Sequence, residues 1–163
     1  MTVTVRAATA ADVEAICRIH NQGISDRIAT LDTTPRTGDD TSKWLRERGP
    51  RHPVLVADLD GAVVGWASLN QFNPRPAYNH VADFSVYVER GMRGKGIGRE
   101  LLEALIERAR AIGFHKMVLA AMAFNDAGLG LYRRSGFSRV GIYKEHGQLD
   151  GRWVDVVIME KLL

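Results

Sequence analysis

The chain passes from a strand into a long helix through the glycine-rich stretch VYVERGMRGKGIGREL, residues 86–101. Its first residues have β character, and from Ile97 onwards apolar residues recur at helical spacing. Three glycines, Gly94, Gly96 and Gly98, stand at the junction, where they weaken a helix start unless a close backbone approach requires them. The stretch therefore indicates a strand–turn–helix unit whose turn has a function.

Such a turn is well suited to bind an anion. The first N–H groups of a helix have no partners within the helix, and the helix dipole adds partial positive charge there. Arg93, Lys95 and Arg99 add formal positive charge to the same turn. Together these features predict a ligand that carries a pyrophosphate.

Two other phosphate-binding motifs do not fit the sequence. A Walker loop requires Gly-Lys followed by Ser or Thr, and neither triplet occurs in this chain. A dinucleotide-binding fold opens with its glycine turn, whereas this turn lies past mid-chain, after a predicted hairpin. The pyrophosphate ligand is therefore predicted to belong to a different fold.

Composition and patterning predict one globular domain over residues 1–163. Apolar residues make up 45% and charged residues 25%, and the net charge is +3, far from a nucleic-acid-binding signature. No apolar run approaches a membrane span, so we expect a cytoplasmic protein with no membrane or nucleic-acid partner. Periodicity predicts strands over 3–6, 53–58, 62–71, 81–88, 116–122, 137–143 and 153–161, and helices over 10–26, 39–48, 96–112 and 125–136. This order indicates a mixed α/β fold with helices on both faces of the sheet.

Other residues with chemical potential receive ordinary interpretations. The five histidines show no metal-ligand spacing and there is one cysteine, so no metal site is predicted. Cys17 lies within the first predicted helix, far in sequence from the glycine turn, and is interpreted as a buried thiol and not a nucleophile. Trp44, Trp66 and Trp153 are predicted to pack in the interior.

The glycine turn resembles the acetyl-CoA turn of the GNAT superfamily of N-acetyltransferases. Arg93-Gly94-Lys95-Gly96-Ile97-Gly98 matches its pattern Gln/Arg-x-x-Gly-x-Gly/Ala, and residues 131–137 look like its second cofactor segment. Residues 73–78 and 151–156 are similar to those of the phosphinothricin acetyltransferase group, which includes methionine sulfoximine and arsinothricin N-acetyltransferases. The resemblance implies a central mixed, mostly antiparallel sheet, splayed between the fourth and fifth strands. It also implies acetyl-CoA as cosubstrate and a homodimer.

The resemblance assigns cofactor contacts to two segments and one side chain. The backbone of Val86, Tyr87 and Val88 would bind the pantetheine arm. Residues of the turn would form the pyrophosphate cradle, namely Arg93, Gly94, Lys95, Gly96, Ile97, Gly98 and Arg99. Asn125 would contact the pantetheine, and it is equally placed to cap the following helix.

Catalytic roles also follow from the resemblance. Tyr132 occupies the position of a tyrosine that protonates the departing thiolate. Asp83 stands where the related enzymes have a glutamate general base, and because Asp is one methylene shorter it requires partial burial or a bridging water. Two alternatives remain for Asp83: a substrate-binding acid that only orients the acceptor, and a structural ion pair. Arg75 and Tyr78, in the loop before it, are predicted to close a pocket around an anionic amino acid; an exposed loop arginine is the alternative.

These assignments predict direct acetyl transfer to the α-amine of a small amino acid or toxic glutamate analogue, which would detoxify it. The part played by residues 21–36 in shaping the acceptor pocket is left open. Two alternatives remain open. One is acetylation of protein N-termini or lysines, and the other is a non-catalytic acyl-CoA sensor.

Overall fold

The computed structural model describes residues 1–163 and contains seven strands and four helices. The strands are β1 (Thr4–Ala7), β2 (Val54–Leu59), β3 (Ala62–Gln71), β4 (Val81–Val88), β5 (Lys116–Met122), β6 (Ser138–Leu149) and β7 (Arg152–Leu162). The helices are α1 (Val13–Asp26), α2 (Gly38–Arg46), α3 (Ile97–Ile112) and α4 (Asp126–Arg134). The order of elements matches the order predicted from periodicity.

All seven strands belong to one sheet, in the order β1-β2-β3-β4-β5-β7-β6. Every neighbouring pair is antiparallel except β4 and β5, which are parallel. These two strands pair only at Val81 with Lys116 and at Ala82 with Met117, and then separate. The predicted mixed, mostly antiparallel sheet with a splay between the fourth and fifth strands is confirmed.

Helix α3 anchors the larger core. Leu101, Leu102 and Leu105 are fully buried and recur at the spacing that puts them on one helix face. The helix ends at Ile112 and is capped by Gly113, whose φ of 105° lies in the left-handed region that glycine adopts without steric cost. This packing fixes the position of the α3 N-terminus relative to the sheet.

Helix α1 lies on the opposite face of the sheet from α3. Successive strand residues point to opposite faces. Leu55 of β2 joins the core cluster of α3, whereas its neighbours Val54 and Val56 join a second cluster with Ile16 and Ile19 of α1. Helices therefore cover both faces, as predicted.

Several local predictions need correction. Strand β6 continues to Leu149, because it stays paired with β7 through two irregularities in register that the sequence pattern does not reveal. Trp66 is buried and Trp44 packs edge-on against it, but Trp153 is 62% exposed and does not pack in the interior. Cys17 is buried, as expected, and its thiol donates to the carbonyl of Arg36 at 3.4 Å.

Two further properties concern ligands and membranes. No group of three or more His, Cys, Asp or Glu side chains is arranged to hold a metal ion. None of the helices combines the length and the apolar character needed to cross a bilayer.

The central position of Leu101 leads to a stability prediction. Leu101→Ala removes a fully buried side chain and leaves a cavity, so we expect the free energy of unfolding to fall by about 2–5 kcal/mol. Urea unfolding measures this change. Leu162→Ala, at a residue that is 67% exposed, serves as the control with an expected change below about 0.5 kcal/mol. Equal losses in the two variants would contradict the assigned core.

Candidate active site

The separation of β4 from β5 opens a cleft of about 660 Å³, called here the central cleft. Its walls come from β4, the glycine turn, the start of α3, the end of β5 and α4. Beyond Ala82, β4 has no partner strand on its β5 side, although it remains paired with β3 on the other side. Backbone groups along one edge of β4 are therefore free to bind a ligand.

Val86, Tyr87 and Val88 line this free edge, and the family resemblance implies that they contact the pantetheine. On the other edge, these residues pair with Ala67, Trp66 and Gly65 of β3. The Tyr87 ring stacks on Trp66 with 4.9 Å between ring centroids, so the sheet packing holds the strand in place.

The glycine turn has the backbone conformation that an anion cradle requires. Gly94 and Gly96 have φ angles of 76° and 84°, in the left-handed region that favours glycine. The first hydrogen bond of α3 runs from the Glu100 N–H to the Gly96 carbonyl at 3.1 Å. The N–H groups of Ile97, Gly98 and Arg99 precede it and so have no partner within the helix.

Gly98 allows close approach at the start of α3. A Cβ atom at this position would stand 3.4 Å from Leu131 Cδ2 and 3.6 Å from Val88 Cγ2. A larger side chain would therefore project between α3, α4 and β4, into the central cleft. The turn, with its free N–H groups and without a side chain at this point, fits the diphosphate of acetyl-CoA.

The side-chain charges of the turn are arranged differently from the prediction. Arg93 bonds Asp26 at 2.7 Å and the Val88 carbonyl at 3.2 Å, and Arg99 bonds Glu103 at 2.7 Å. Two of the three cations that were expected to face the phosphates are thus paired with carboxylates. Lys95 has no acidic partner.

Asp83 directly follows Ala82, the last residue of β4 that pairs with β5. It therefore stands where these two strands separate, and it lines the central cleft. Burial raises the pKa of Asp83 to about 6, with the backbone N–H of Phe84 acting in the opposite direction. No salt bridge occupies its carboxylate. The structure therefore gives no support to the alternative in which Asp83 serves in a structural ion pair.

Tyr132 also lines the central cleft, from α4. Its ring packs edge-on against Phe84 at a centroid distance of 5.7 Å. Burial raises the pKa of Tyr132 to about 12, and the nearby Tyr87 and Asp83 add smaller contributions. The phenol is therefore fully protonated at neutral pH.

Asn125 combines the two roles considered for it. Its Oδ1 accepts from the Gly128 N–H at 3.1 Å and caps α4. The residue also lines the central cleft. Capping occupies the carbonyl of the side chain, and its NH₂ group is left to donate to a ligand.

Arg75 and Tyr78 do not reach the central cleft. Both are exposed on the loop between β3 and β4, and the Tyr78 ring packs edge-on against Phe72. An Asn73 side chain accepts from the Arg75 N–H at 3.0 Å and fixes the local turn. The expected closed pocket around these two residues is absent from the single chain, because the loop is held at the surface by its own contacts.

The sequence left open which residues between 21 and 36 approach the ligand. Ile28 and Ala29 line the central cleft, and no other residue of that region does. No local pattern marks them, because their position depends on the path of the chain after α1 ends. Met92 and Leu119 are further apolar lining residues that were not predicted.

Comparison with known proteins agrees with this geometry. Residues 21–137 match the model of the Acetyltransferase (GNAT) family. The chain belongs to that family. An L-methionine sulfoximine/L-methionine sulfone acetyltransferase of Pseudomonas paraeruginosa is 40% identical over 162 residues, which are 98% of this chain and 94% of the relative. The predicted superfamily and the acyltransferase class are therefore confirmed.

Two solved structures resemble the acetyltransferase closely. A GNAT phosphinothricin acetyltransferase from Sinorhizobium meliloti, in complex with acetyl-CoA, has a TM-score of 0.94 and 34% identity, covering 100% of this chain and 89% of its own. A ribosomal-protein-alanine N-acetyltransferase from Brucella melitensis has a TM-score of 0.95 and 39% identity, covering 98% and 99%. The acetyl-CoA complex agrees with the predicted cosubstrate.

The raised pKa of Asp83 predicts a pH-dependent cost to folding. Below pH 3.8 the carboxyl is protonated in both the folded and the unfolded states, and above about 6 it is ionised in both. Between these values only the unfolded state gives up its proton. Relative to Asp83→Asn, the wild type should therefore lose stability on the order of 3 kcal/mol as the pH rises from 3.8 to about 6.

Urea unfolding of wild type and Asp83→Asn at low and neutral pH measures this loss. The difference in unfolding free energy between the two proteins is compared across the pH values, so any pH-independent effect of the substitution cancels. A difference that does not change with pH would show that Asp83 is not desolvated.

Proposed function

We propose that the chain, as one domain over residues 1–163, transfers the acetyl group of acetyl-CoA to the α-amine of a small amino acid. The acceptor class is that of methionine sulfoximine or phosphinothricin, glutamate-like molecules with a polar or anionic side chain. The observation that carries the proposal is the position of Asp83. A partly buried carboxylate with a raised pKa stands at the point where the sheet opens into a cleft that ends in a diphosphate cradle.

Acetyl-CoA supplies an activated thioester, and the residues of the chain bind and orient it. The amides of residues 97–99 would bind the diphosphate, with Gly94 and Gly96 shaping the turn and Lys95 adding charge. The free edge of Val86, Tyr87 and Val88, together with Asn125, would bind the pantetheine. Backbone N–H groups on the same edge would polarise the thioester carbonyl. Arg93 and Arg99 would contribute through their backbones, because their side chains are paired.

Asp83 would accept the proton that the acceptor ammonium must lose before it attacks. A base with a pKa of about 6 is mostly ionised at neutral pH and is closer in basicity to an amine than an ordinary aspartate is. One bridging water would compensate for the methylene that Asp lacks relative to Glu. The attack would be direct, without an acyl-enzyme, since the only cysteine, Cys17, is buried in α1 and donates to the Arg36 carbonyl.

Tyr132 would donate a hydrogen to the departing thiolate. With a pKa of about 12 it always carries its proton, but it is a weaker acid than an ordinary phenol. Its role would therefore begin as hydrogen bonding to the developing negative charge on sulfur. Complete proton transfer would follow as full negative charge develops on the sulfur, because burial beside Tyr132 would raise the basicity of the thiolate as well.

We also propose a homodimer, supported by exposed apolar residues along the last two strands. Strand β6 is an edge strand of twelve residues, and Val140, Tyr143 and Trp153 are each more than half exposed. In the single chain Arg75 and Tyr78 are exposed, so their proposed contact with an anionic acceptor depends on closure of this loop in the assembled protein.

Acetylation turns the acceptor ammonium into a neutral amide, which no longer imitates the charged amine of an amino acid. We therefore propose that the reaction detoxifies glutamate analogues. It would take place in the cytoplasm, where acetyl-CoA is available.

A second candidate function is acetylation of protein N-termini. It is favoured by the 39% identity with the ribosomal-protein-alanine N-acetyltransferase and by the absence of a closed pocket at Arg75 and Tyr78. A peptide substrate requires an open approach to the cleft, and the single chain provides one. Amino acids and peptides must therefore be tested side by side.

A thiol-release assay with acetyl-CoA tests the proposal against its rivals. The acceptor panel contains methionine sulfoximine, methionine sulfone, phosphinothricin, unmodified amino acids and peptides with N-terminal alanine. Turnover of the free amino acids supports our choice, and turnover of the peptides alone supports the second candidate. Tight binding of CoA with no turnover on any amine would indicate a non-catalytic sensor.

The proposed proton transfers lead to a prediction for two variants. Asp83→Asn should lower kcat/KM at pH 7 by about 100-fold or more, because general-base catalysis contributes factors of this size. The wild-type kcat/KM should rise with pH through an apparent pKa of about 6, and Asp83→Asn should lack that limb. Tyr132→Phe should lower kcat while leaving the KM for acetyl-CoA nearly unchanged. An unaltered pH profile in Asp83→Asn would remove Asp83 from the base role.

Arg75 provides a separate prediction about the acceptor. Arg75→Ala should raise the KM for phosphinothricin about tenfold, through loss of one charge-assisted contact, without raising the KM for acetyl-CoA. Methionine sulfone, which has no anionic side-chain group, provides the matched comparison. If both amino acids and acetyl-CoA show unchanged KM values, Arg75 is only a surface residue.

A further inference from the structure

The C-terminal part of helix α1, from Arg18 to Asp26, contacts the segment that leads into the glycine turn. Arg18, Gln22 and Asp26 are spaced by four residues, which places them in one row on the helix surface. All three side chains bond residues 89–93. Arg18 pairs with Glu89 at 3.0 Å, and the Gln22 side-chain carbonyl accepts from the backbone N–H of Arg90 at 2.8 Å.

Asp26, the last of the row, makes the most contacts. Its carboxylate accepts from Arg90 Nη2 at 2.7 Å and Nε at 3.1 Å, and from Arg93 Nη1 at 2.7 Å. Arg93 in turn donates from Nε to the Val88 carbonyl at the end of β4, at 3.2 Å. One carboxylate thus holds both arginines that flank the entry to the glycine turn.

The location of Asp26 is unfavourable for the helix itself. It is the last residue of α1, where the helix dipole is negative and a basic residue would be stabilising, and the last turn contains no basic residue. The two guanidinium groups offset this repulsion, and they hold the pKa of Asp26 below its usual range. The carboxylate is therefore stabilised by its contacts with Arg90 and Arg93 and not by its position in the helix.

The chain then changes direction and enters the cleft wall. Arg27 has a left-handed backbone, with a φ of 57°, and its side chain bonds Asp150 at 3.0 Å in the turn between β6 and β7. The next two residues, Ile28 and Ala29, line the central cleft. Two adjacent residues thus hold the start of this wall in place. Asp26 bonds the glycine turn, and Arg27 bonds the turn between β6 and β7.

We propose that Asp26 is a positioning residue that holds the glycine turn and the Ile28–Ala29 wall in one fixed relation. Binding of acetyl-CoA at the turn would thereby set the wall that the acceptor meets. The cofactor half of this inference stands on the geometry of the turn, and the acceptor half rests on the proposed function.

The same contacts allow an opposite effect, and the experiment separates the two. If Asp26 instead withheld Arg93 from the diphosphate, its removal would free a cation and strengthen binding. If Asp26 positions the turn, its removal weakens binding.

Calorimetry with CoA tests the cofactor half without any acceptor. Asp26→Asn should weaken CoA binding about tenfold, as expected for the loss of one charged hydrogen-bonding centre. Glu47→Gln is the matched control, because it neutralises a carboxylate paired with Lys43 at 3.9 Å on the surface beside α2; its CoA affinity should equal that of the wild type. Unchanged or tighter binding by Asp26→Asn would overturn the proposal.

Arg90→Gln keeps the test valid if Asp26→Asn fails to fold. Arg90 is an exposed partner of Asp26, so Arg90→Gln removes the Asp26–Arg90 ion pair. The carboxylate at the end of α1 keeps its second partner, Arg93. The substitution should also weaken CoA binding, by a smaller factor because Arg93 still holds Asp26. Wild-type affinity in this variant would overturn the proposal.

Steady-state kinetics tests the acceptor half on whichever amine is turned over. Asp26→Asn should raise the KM for both acetyl-CoA and the acceptor, whereas Asp150→Asn, which releases only Arg27, should raise the KM for the acceptor alone. An acetyl-CoA effect without an acceptor effect in Asp26→Asn would overturn the link to the wall. If no amine is turned over, the proposed function fails while the calorimetric result still decides the role of Asp26 at the turn.

Discussion

The site depends on the early end of one parallel strand pairing. β4 and β5 share two residue pairs and then separate, so a central strand keeps hydrogen-bonding groups that a continuous sheet would consume. The position of each candidate functional group in the cleft depends on this separation. Asp83 lies at its apex, the free edge of β4 runs along it, and the glycine turn closes its far end.

Burial raises the pKa of both proposed proton-transfer groups, with opposite consequences for their roles. Loss of solvent disfavours the charged form of each, and the pKa of Asp83 rises to about 6 while that of Tyr132 rises to about 12. For Asp83 the change makes a better base. For Tyr132 it secures the proton but makes the phenol a poorer acid, which is why hydrogen bonding to sulfur is the better description of its first action.

Around the glycine turn, main-chain N–H groups are more available to bind an anion than the arginine side chains are. Two arginines that appear in sequence to surround the anion are engaged by Asp26 and Glu103. In the proposed diphosphate site, the amides at the start of α3 and the positive φ angles of the glycines would be the main determinants of binding. Arg93 instead connects the turn to α1 and β4, and Arg99 pairs with Glu103 within α3 itself.

Local features of the site were predictable from sequence. The glycine turn, the helix it opens and the acid at the end of the paired part of β4 depend on residues close together in the chain, so their patterns show in the sequence itself. The exposure of Trp153, the pairing of Arg93 with Asp26 and the position of Ile28 and Ala29 were not predictable. Each of these depends on distant segments meeting across the sheet. Sequence alone therefore determined the family and the glycine turn. Only the tertiary structure decided which charges stay free and which residues between 21 and 36 line the cleft, because contacts between distant segments are set by packing.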